Sequence, residues 1–166
     1  MKKIDPFGLK LCSYQAALFE ASVRAAECSS AVFIRRFMNS DLAKRMDKPG
    51  FLFESLDVKA AIGEAEAQYG ASSCGTEKYS PEEMHRIGSL YRYWAYTAER
   101  SGRQCCKTVK PGMLRKLFFP YHSPDPAQAV ERITEALGPA PERDMTSIAA
   151  GAEVLRRARG KRNGGR

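Results

Sequence analysis

The chain has 166 residues, the length of a single domain, which is enough to build a core without disulfides or metal. Hydrophobic residues make up 43% and charged residues 28%, which excludes collagen-like, coiled-coil and disordered chains, and no apolar run of about 18 residues could span a membrane. The net charge is +8, but six basic residues and one acidic residue fall in the last sixteen positions, so the charge excess is largely a property of the tail.

The cysteines indicate a reducing compartment. Five are present, an odd number, and no Cys-x-x-Cys pair occurs. Disulfide frameworks favour even counts and zinc sites need closely spaced ligands, so neither is expected. No apolar signal segment follows the lysines at positions 2 and 3. We therefore expect a cytoplasmic protein with reduced, mostly buried thiols and no metal or cofactor.

Helical periodicity runs through almost the whole chain. No stretch alternates apolar and polar residues as a strand does. The first helix is expected over residues 13–28, with so little polar surface that it should be central in a bundle. The next is expected over residues 30–39, where it breaks and restarts with Ser40 as the N-cap.

The middle of the chain contains the clearest helix boundary. Asp57 is a suitable cap for a helix over residues 58–69. Ser80 followed by Pro81 and a glutamate three residues after the serine is typical of a capping box. The helix that begins there is expected to reach about residue 101, with Gly102 closing it.

Two shorter helices complete the predicted domain. One begins at Pro111 and ends before Pro120, and the other covers about residues 125–137. We therefore predict an all-α fold, an irregular bundle of five to seven helices over residues 8–137. Residues 138–166 are expected to form a proline- and alanine-rich linker, a weak helix and the basic tail.

No catalytic motif accompanies this fold. Of two histidines, His122 follows Arg115 at a spacing that nominally fits the Arg-x(4–6)-His pattern of HEPN ribonucleases. Pro120 lies between them and interrupts the helix that should carry both. A Cys106–His122 nucleophile–base pair is a further alternative. We expect no catalytic residues and treat the chain as a non-enzyme.

One helix face is both cationic and aromatic. Arginine and tyrosine are residue types that dominate protein interfaces, and they also hold phosphates and stack on bases. The alternative is a helix buried on both sides, with its arginines paired to acids such as Asp47 or Asp125. The candidate partner-binding residues are Arg35, Arg36, Asn39, Arg86, Arg92, Tyr93, Tyr96, Arg100, Tyr121 and His122.

Three segments together resemble a family of small bacterial proteins from toxin–antitoxin-like operons, often beside an ADP-ribosyltransferase-type toxin. They are FIRRFMNS (residues 33–40), HRIGSLYRYWAYT (85–97) and FPYHSPDP (119–126). The resemblance covers about residues 10–137. It implies a toxin-neutralising or toxin-associated role and supplies no catalytic mechanism.

These observations favour a non-enzymatic protein-binding module, an antitoxin or accessory component whose protein partner is the cognate toxin. A second hypothesis is an operon regulator that binds DNA or RNA, partly through the basic tail. A third is a HEPN-like ribonuclease toxin. No membrane association is expected.

Overall fold

The computed structural model describes residues 1–51, 56–118 and 125–137, and all regular structure in these ranges is helical. The all-α prediction is confirmed, with one helix more than the upper end of the expected range. None of the helices in these ranges is both long and apolar enough to cross a membrane. The helices are α1 (Pro6–Ala25), α2 (Ser30–Asn39), α3 (Asp41–Met46), α4 (Val58–Tyr69), α5 (Pro81–Thr97), α6 (Gly102–Thr108), α7 (Pro111–Phe118) and α8 (Pro126–Leu137).

The chain divides into two compact units, Met1–Val130 and Glu131–Arg166. The first contains α1 to α7 and the beginning of α8. In the second, the described residues are 131–137, the remainder of α8. The predicted linker, weak helix and basic tail of residues 138–166 lie outside the described residues, so that part of the domain assignment stays a prediction.

Side-chain caps fix several helix starts where the sequence predicted them. The Ser80 hydroxyl accepts from the amide of Glu83, and the Glu83 carboxylate accepts from the amide of Ser80, which completes the capping box of α5. Ser40 ends α2 and caps α3 through the amide of Ala43. The predicted break between these two helices is thus confirmed.

The start of α1 was predicted too late. This helix begins at Pro6, seven residues before the expected position, because the Asp5 carboxylate accepts from the amide of Gly8 at 2.7 Å and proline occupies the first turn. The segment before it is also anchored, since the amide of Lys2 donates to the carbonyl of Thr97 at 2.8 Å.

The end of α5 was predicted too late, and α6 was not predicted. The amide of Arg100 donates to the carbonyl of Ala95 at 3.0 Å, and Glu99 has a φ of 53°. Together these form a Schellman-type end to the helix. Ser101 then caps α6, so Gly102 begins a new helix and does not close the previous one.

Helices α1 and α5 pack antiparallel at short range. A Cβ on Gly8 would lie 2.6 Å from the Tyr96 ring, and a Cβ on Gly88 would lie 2.7 Å from the carbonyl oxygen of Gln15. One glycine on each helix therefore permits the close approach. This contact makes α1 central, as expected, and fixes the end of α5 beside the N-terminal segment.

Candidate functional site

A cavity of about 710 Å³ opens where the N-terminal segment, the end of α3 and the end of α5 meet. We call it the α5 cavity. Its volume is in the range that suits a small ligand or several side chains of a partner. Apolar side chains contribute to its wall, among them Phe7, Leu11, Met46 and Ala95. The charged residues that line it are Lys2, Asp47, Lys48, Arg92, Glu99 and Arg100.

Two helix ends place most of these charges. After α3, the amide of Asp47 donates to the carbonyl of Ala43, and the amide of Lys48 donates to the carbonyl of Arg45 at 3.1 Å. Gly50 then has a φ of 81°, a left-handed conformation that glycine adopts without strain. The short sequence Asp-Lys-Pro-Gly therefore holds one acid and one base at the cavity.

Glu99 occupies a backbone conformation that favours glycine. Among the described residues it is the one non-glycine residue with a positive φ, at 53°. A side chain in the left-handed region costs about 1–2 kcal/mol, and such strain is often found at functional sites. The Schellman-type turn therefore places the Glu99 carboxylate and the Arg100 guanidinium at the cavity at a cost in stability.

The exposed charged residues of the lining form the rim of the cavity, namely Lys2, Lys48, Glu99 and Arg100. Arg92 lies beneath this rim and is 2% exposed. Its Nε donates to Gln15 at 2.8 Å, and its Nη1 donates to the Asp47 carboxylate at 2.7 Å and to the carbonyl of Met46. Asp47 also accepts from the amide of Gly102. The pair therefore links α1, α3, α5 and α6 around the cavity.

The Nη2 of Arg92 is buried and has no hydrogen-bond partner. A buried donor of a charged group without a partner costs on the order of 1–3 kcal/mol. The nitrogen lies close to the backbone of α6, since a Cβ on Gly102 would be 3.5 Å from it. The arginine is thus held by Asp47 and Gln15 with one donor unused.

Lys2 and Tyr96 form the N-terminal edge of the cavity. The Lys2 ammonium lies 3.9 Å from the centre of the Tyr96 ring, and the Tyr96 hydroxyl donates to the Asp5 carboxylate at 2.6 Å. That hydrogen bond raises the pKa of Tyr96 to about 12 and holds the pKa of Asp5 below its ordinary value. At neutral pH this edge therefore carries a cation, a neutral phenol and a carboxylate.

The other two rim cations are unpaired. Lys48 and Arg100 are exposed, and neither side chain makes a hydrogen bond or ion pair with the described residues. Because Arg92 and Asp47 neutralise each other, the remaining cations are Lys2, Lys48 and Arg100, and the remaining acids are Glu99 in the lining and Asp5 at the N-terminal edge. The α5 cavity therefore carries a positive excess of charge at its rim.

The structure brings three of the predicted partner-binding residues to this cavity, namely Arg92, Tyr96 and Arg100. The three on α2 lie elsewhere. Arg35 is exposed, Asn39 donates to the carbonyl of Arg35, and Arg36 donates to the carbonyl of Gly70 at the end of α4. No single face therefore contains the whole predicted set.

Two further residues of α5 lie outside the cavity. Arg86 is exposed and pairs with Glu82 one turn earlier at 2.7 Å, and Tyr93 is half-buried. The predicted residues Tyr121 and His122 lie outside the described residues. The cation-and-aromatic face is thus interrupted at two of its arginines by acidic partners, Glu82 at Arg86 and Asp47 at Arg92.

Arg92 requires a correction, because a buried residue is not a surface contact. Its burial follows from the ion pair with Asp47 and the hydrogen bond to Gln15. The alternative interpretation of this face, an arginine paired with Asp47, is confirmed for this residue.

Arg115, the arginine of the Arg-x(4–6)-His spacing, is held by acidic side chains. Arg115 donates to Glu83 at 2.7 Å and to Glu77 at 2.6 Å, and its guanidinium lies 4.3 Å from the Tyr79 ring centre. Two carboxylates therefore accept from its Nε and Nη1 and compete with a scissile phosphate for this guanidinium. His122, its proposed partner, lies outside the described residues.

The thiols are mostly inaccessible. Four cysteines are buried and Cys74 is exposed. Burial raises the pKa of Cys12 and of Cys105 to about 12, and it also raises the pKa of Cys106. A thiol with a raised pKa is a poor nucleophile at neutral pH, which argues against the Cys106–His122 pair. Over residues 1–51, 56–118 and 125–137, no cluster of three or more metal-binding side chains occurs.

Three charged residues of the cavity were missed from the sequence, namely Lys2, Lys48 and Glu99. One signal was available, because Asp5 followed by Pro6 repeats the cap-plus-proline pattern of Ser80 and Pro81 and predicts an ordered N-terminal segment. Convergence of positions 2, 48 and 99 depends on tertiary packing and has no local signature.

Comparisons with protein-family models, with curated proteins and with solved structures find no match to this chain.

Proposed function

We propose that the chain is a non-enzymatic protein-binding module that receives part of its partner at the α5 cavity. The observation that carries the proposal is the presence of two exposed cations, Lys48 and Arg100, that have no partner among the described residues and line a cavity of about 710 Å³. Arginine and aromatic side chains grouped around a concave surface are common at the centres of protein interfaces.

The partner is the product of a neighbouring gene, in the cytoplasm. This part of the proposal is supported by the resemblance of the three sequence segments to proteins of toxin–antitoxin-like operons. In that setting the chain acts as the antitoxin or as an accessory component that holds the toxin. Of those segments, HRIGSLYRYWAYT forms most of α5 and contributes Arg92, Ala95 and Tyr96 to the cavity.

Co-expression tests the proposal. The full chain, carrying an affinity tag, is produced with each product of the adjacent genes, and the purified material is analysed for a stoichiometric complex. We expect one product to co-purify and its growth inhibition, if it is a toxin, to be relieved. Arg100→Glu is expected to weaken capture, and Arg103→Glu, an exposed arginine outside the cavity, is the matched control. Failure of every neighbouring product to co-purify contradicts the proposal.

A further inference from the structure

The charge at the rim of the α5 cavity indicates what the cavity recognises. Lys2, Lys48 and Arg100 lie on three separate parts of the chain, the N-terminal segment, the exit from α3 and the exit from α5. Glu99 is the only lining acid that does not pair with Arg92. With Asp5 beside Lys2, three cations stand against two acids, and the excess of one positive charge comes from Lys48 and Arg100, which have no partner among the described residues. This excess favours an anionic group over a cationic one.

The wall of the cavity adds a second requirement. The half-buried Phe7 lines it alongside the charges, backed by the buried Leu11 and Ala95, so a ligand that fills it must also present apolar surface. A carboxylate next to an aromatic or aliphatic side chain satisfies both requirements. An acidic peptide segment with one apolar anchor has this chemistry.

A nucleic acid backbone fits less well. Phosphates at regular spacing need a continuous track of free cations. Along α5 the arginines outside the rim are engaged, Arg86 by Glu82 and Arg92 by Asp47. Of the arginines on α5 and at its exit, Arg100 is the one without an acidic partner among the described residues. This helix therefore offers an isolated cation at the cavity, which suits one or two anionic groups and not an extended strand.

We propose that the α5 cavity is a docking site for an acidic segment of a protein partner, with Lys48 and Arg100 binding its carboxylate and Phe7 receiving the adjacent apolar side chain. The inference rests on the proposed function and specifies the chemistry of the partner. Glu99 lies on the same rim and opposes the incoming carboxylate, so it limits the affinity and favours partners whose anion avoids it.

A peptide titration tests the inference directly. The probe is a fluorescein-labelled peptide of sequence Gly-Phe-Asp-Glu-Gly with blocked ends, and the matched peptide carries Asn and Gln in place of the two acids. Fluorescence anisotropy with the full chain is expected to show binding of the acidic peptide that weakens with added salt, and binding of the amide peptide that is at least about fivefold weaker.

Variants locate the binding. Lys48→Glu and Arg100→Glu are each expected to weaken binding of the acidic peptide by about fivefold or more, and Glu99→Gln is expected to strengthen it. Lys59→Glu and Arg103→Glu change the same charge at exposed positions outside the cavity and should bind like the unmodified chain. Circular dichroism of each variant verifies that the fold is retained.

The outcomes separate this inference from the proposed function. Binding of the acidic peptide without a co-purifying neighbour supports the docking chemistry and contradicts the proposed partner. A co-purifying neighbour together with no binding of the acidic peptide, or with binding unchanged by both charge reversals, overturns the inference alone. A single-stranded oligonucleotide that displaces the peptide and binds more tightly also overturns it.

Discussion

The guanidinium of Arg92 lies 2.7 Å from the carboxylate of Asp47, and the arginine side chain is 2% exposed. The two residues are 45 positions apart in the sequence. Their pairing joins the middle of α5 to the end of α3 and forms one side of the α5 cavity. Lys48, which follows Asp47 directly, is placed at the rim by the same contact.

Removing the carboxylate of this pair should be strongly destabilising. In Asp47→Ala the Arg92 charge stays buried without its acid, and breaking a buried pair in this way costs about 3–5 kcal/mol. Urea denaturation of the variant should show a loss near that range. The control is Glu82→Ala, which removes an exposed pair with Arg86 and an acid in the first turn of α5, and it should cost at most about 1 kcal/mol. Equal losses in the two variants would contradict the structural role of Arg92.

Glycine substitutions on two helices should have opposite effects. In Gly88→Ala the new methyl group would lie 2.7 Å from a backbone oxygen of α1, so the helices must separate, with an expected loss of about 1–3 kcal/mol. In Gly63→Ala on α4 no atom lies within 4 Å, and the better helix propensity of alanine should stabilise the chain by about 0.5–1 kcal/mol. Thermal unfolding distinguishes them by the sign of the change, and a stabilising Gly88→Ala would refute the close packing.

The acid sensitivity of the fold should depend in part on Glu83. Burial raises the pKa of this carboxyl, but hydrogen bonds from Arg115 and Ser80 outweigh burial and hold the pKa below its ordinary value of 4.5. A lowered pKa contributes stability above the ordinary value, and this contribution is lost as the pH falls through the folded-state pKa.

Glu83→Gln should therefore be less stable than the unmodified chain at neutral pH, by about 1–3 kcal/mol, and should lose less stability on acidification below about pH 4.5. Urea denaturation at a series of pH values measures both effects. Glu82→Gln changes an exposed neighbour in the same helical turn, and its free energy of unfolding should fall with pH as steeply as that of the unmodified chain. If Glu83→Gln loses as much stability on acidification as the unmodified chain, the ion pair between Glu83 and Arg115 is not formed.

One thiol should react before the others. Cys74 is exposed, whereas burial raises the pKa of Cys12, Cys28, Cys105 and Cys106. Because the thiolate is the reactive form, Ellman's reagent should modify about one thiol rapidly in the folded chain and all five in denaturant. Cys74→Ser should abolish the rapid phase. Rapid reaction of a second thiol would mean that the core around that thiol opens readily.

The sequence predicted local features of the fold well and missed those that depend on distant contacts. The capping box of Ser80 and the restart at Ser40 were correct because a cap uses residues three positions apart. The helix that begins at Gly102 was missed because glycine more often ends a helix, and here Ser101 supplies the cap that starts the next one.

The candidate site shows the same limit. Arg100 and Tyr96 were identified from their residue types on one helix, and both line the cavity. Arg92 has the same residue type and is buried, because Asp47 lies opposite it only in the folded chain. Lys2 and Lys48 become part of the site through contacts that no periodicity or motif encodes.

The central claim is that the chain binds its partner at the α5 cavity, and hydrogen–deuterium exchange of the co-purified complex tests it most directly. The full chain is compared with and without the neighbouring gene product that it captures. We expect added protection in residues 46–50 and 95–101, the two helix ends that line the cavity, where backbone amides near helix ends normally exchange readily. Unchanged exchange in both segments, with protection confined to another part of the chain, would contradict the account.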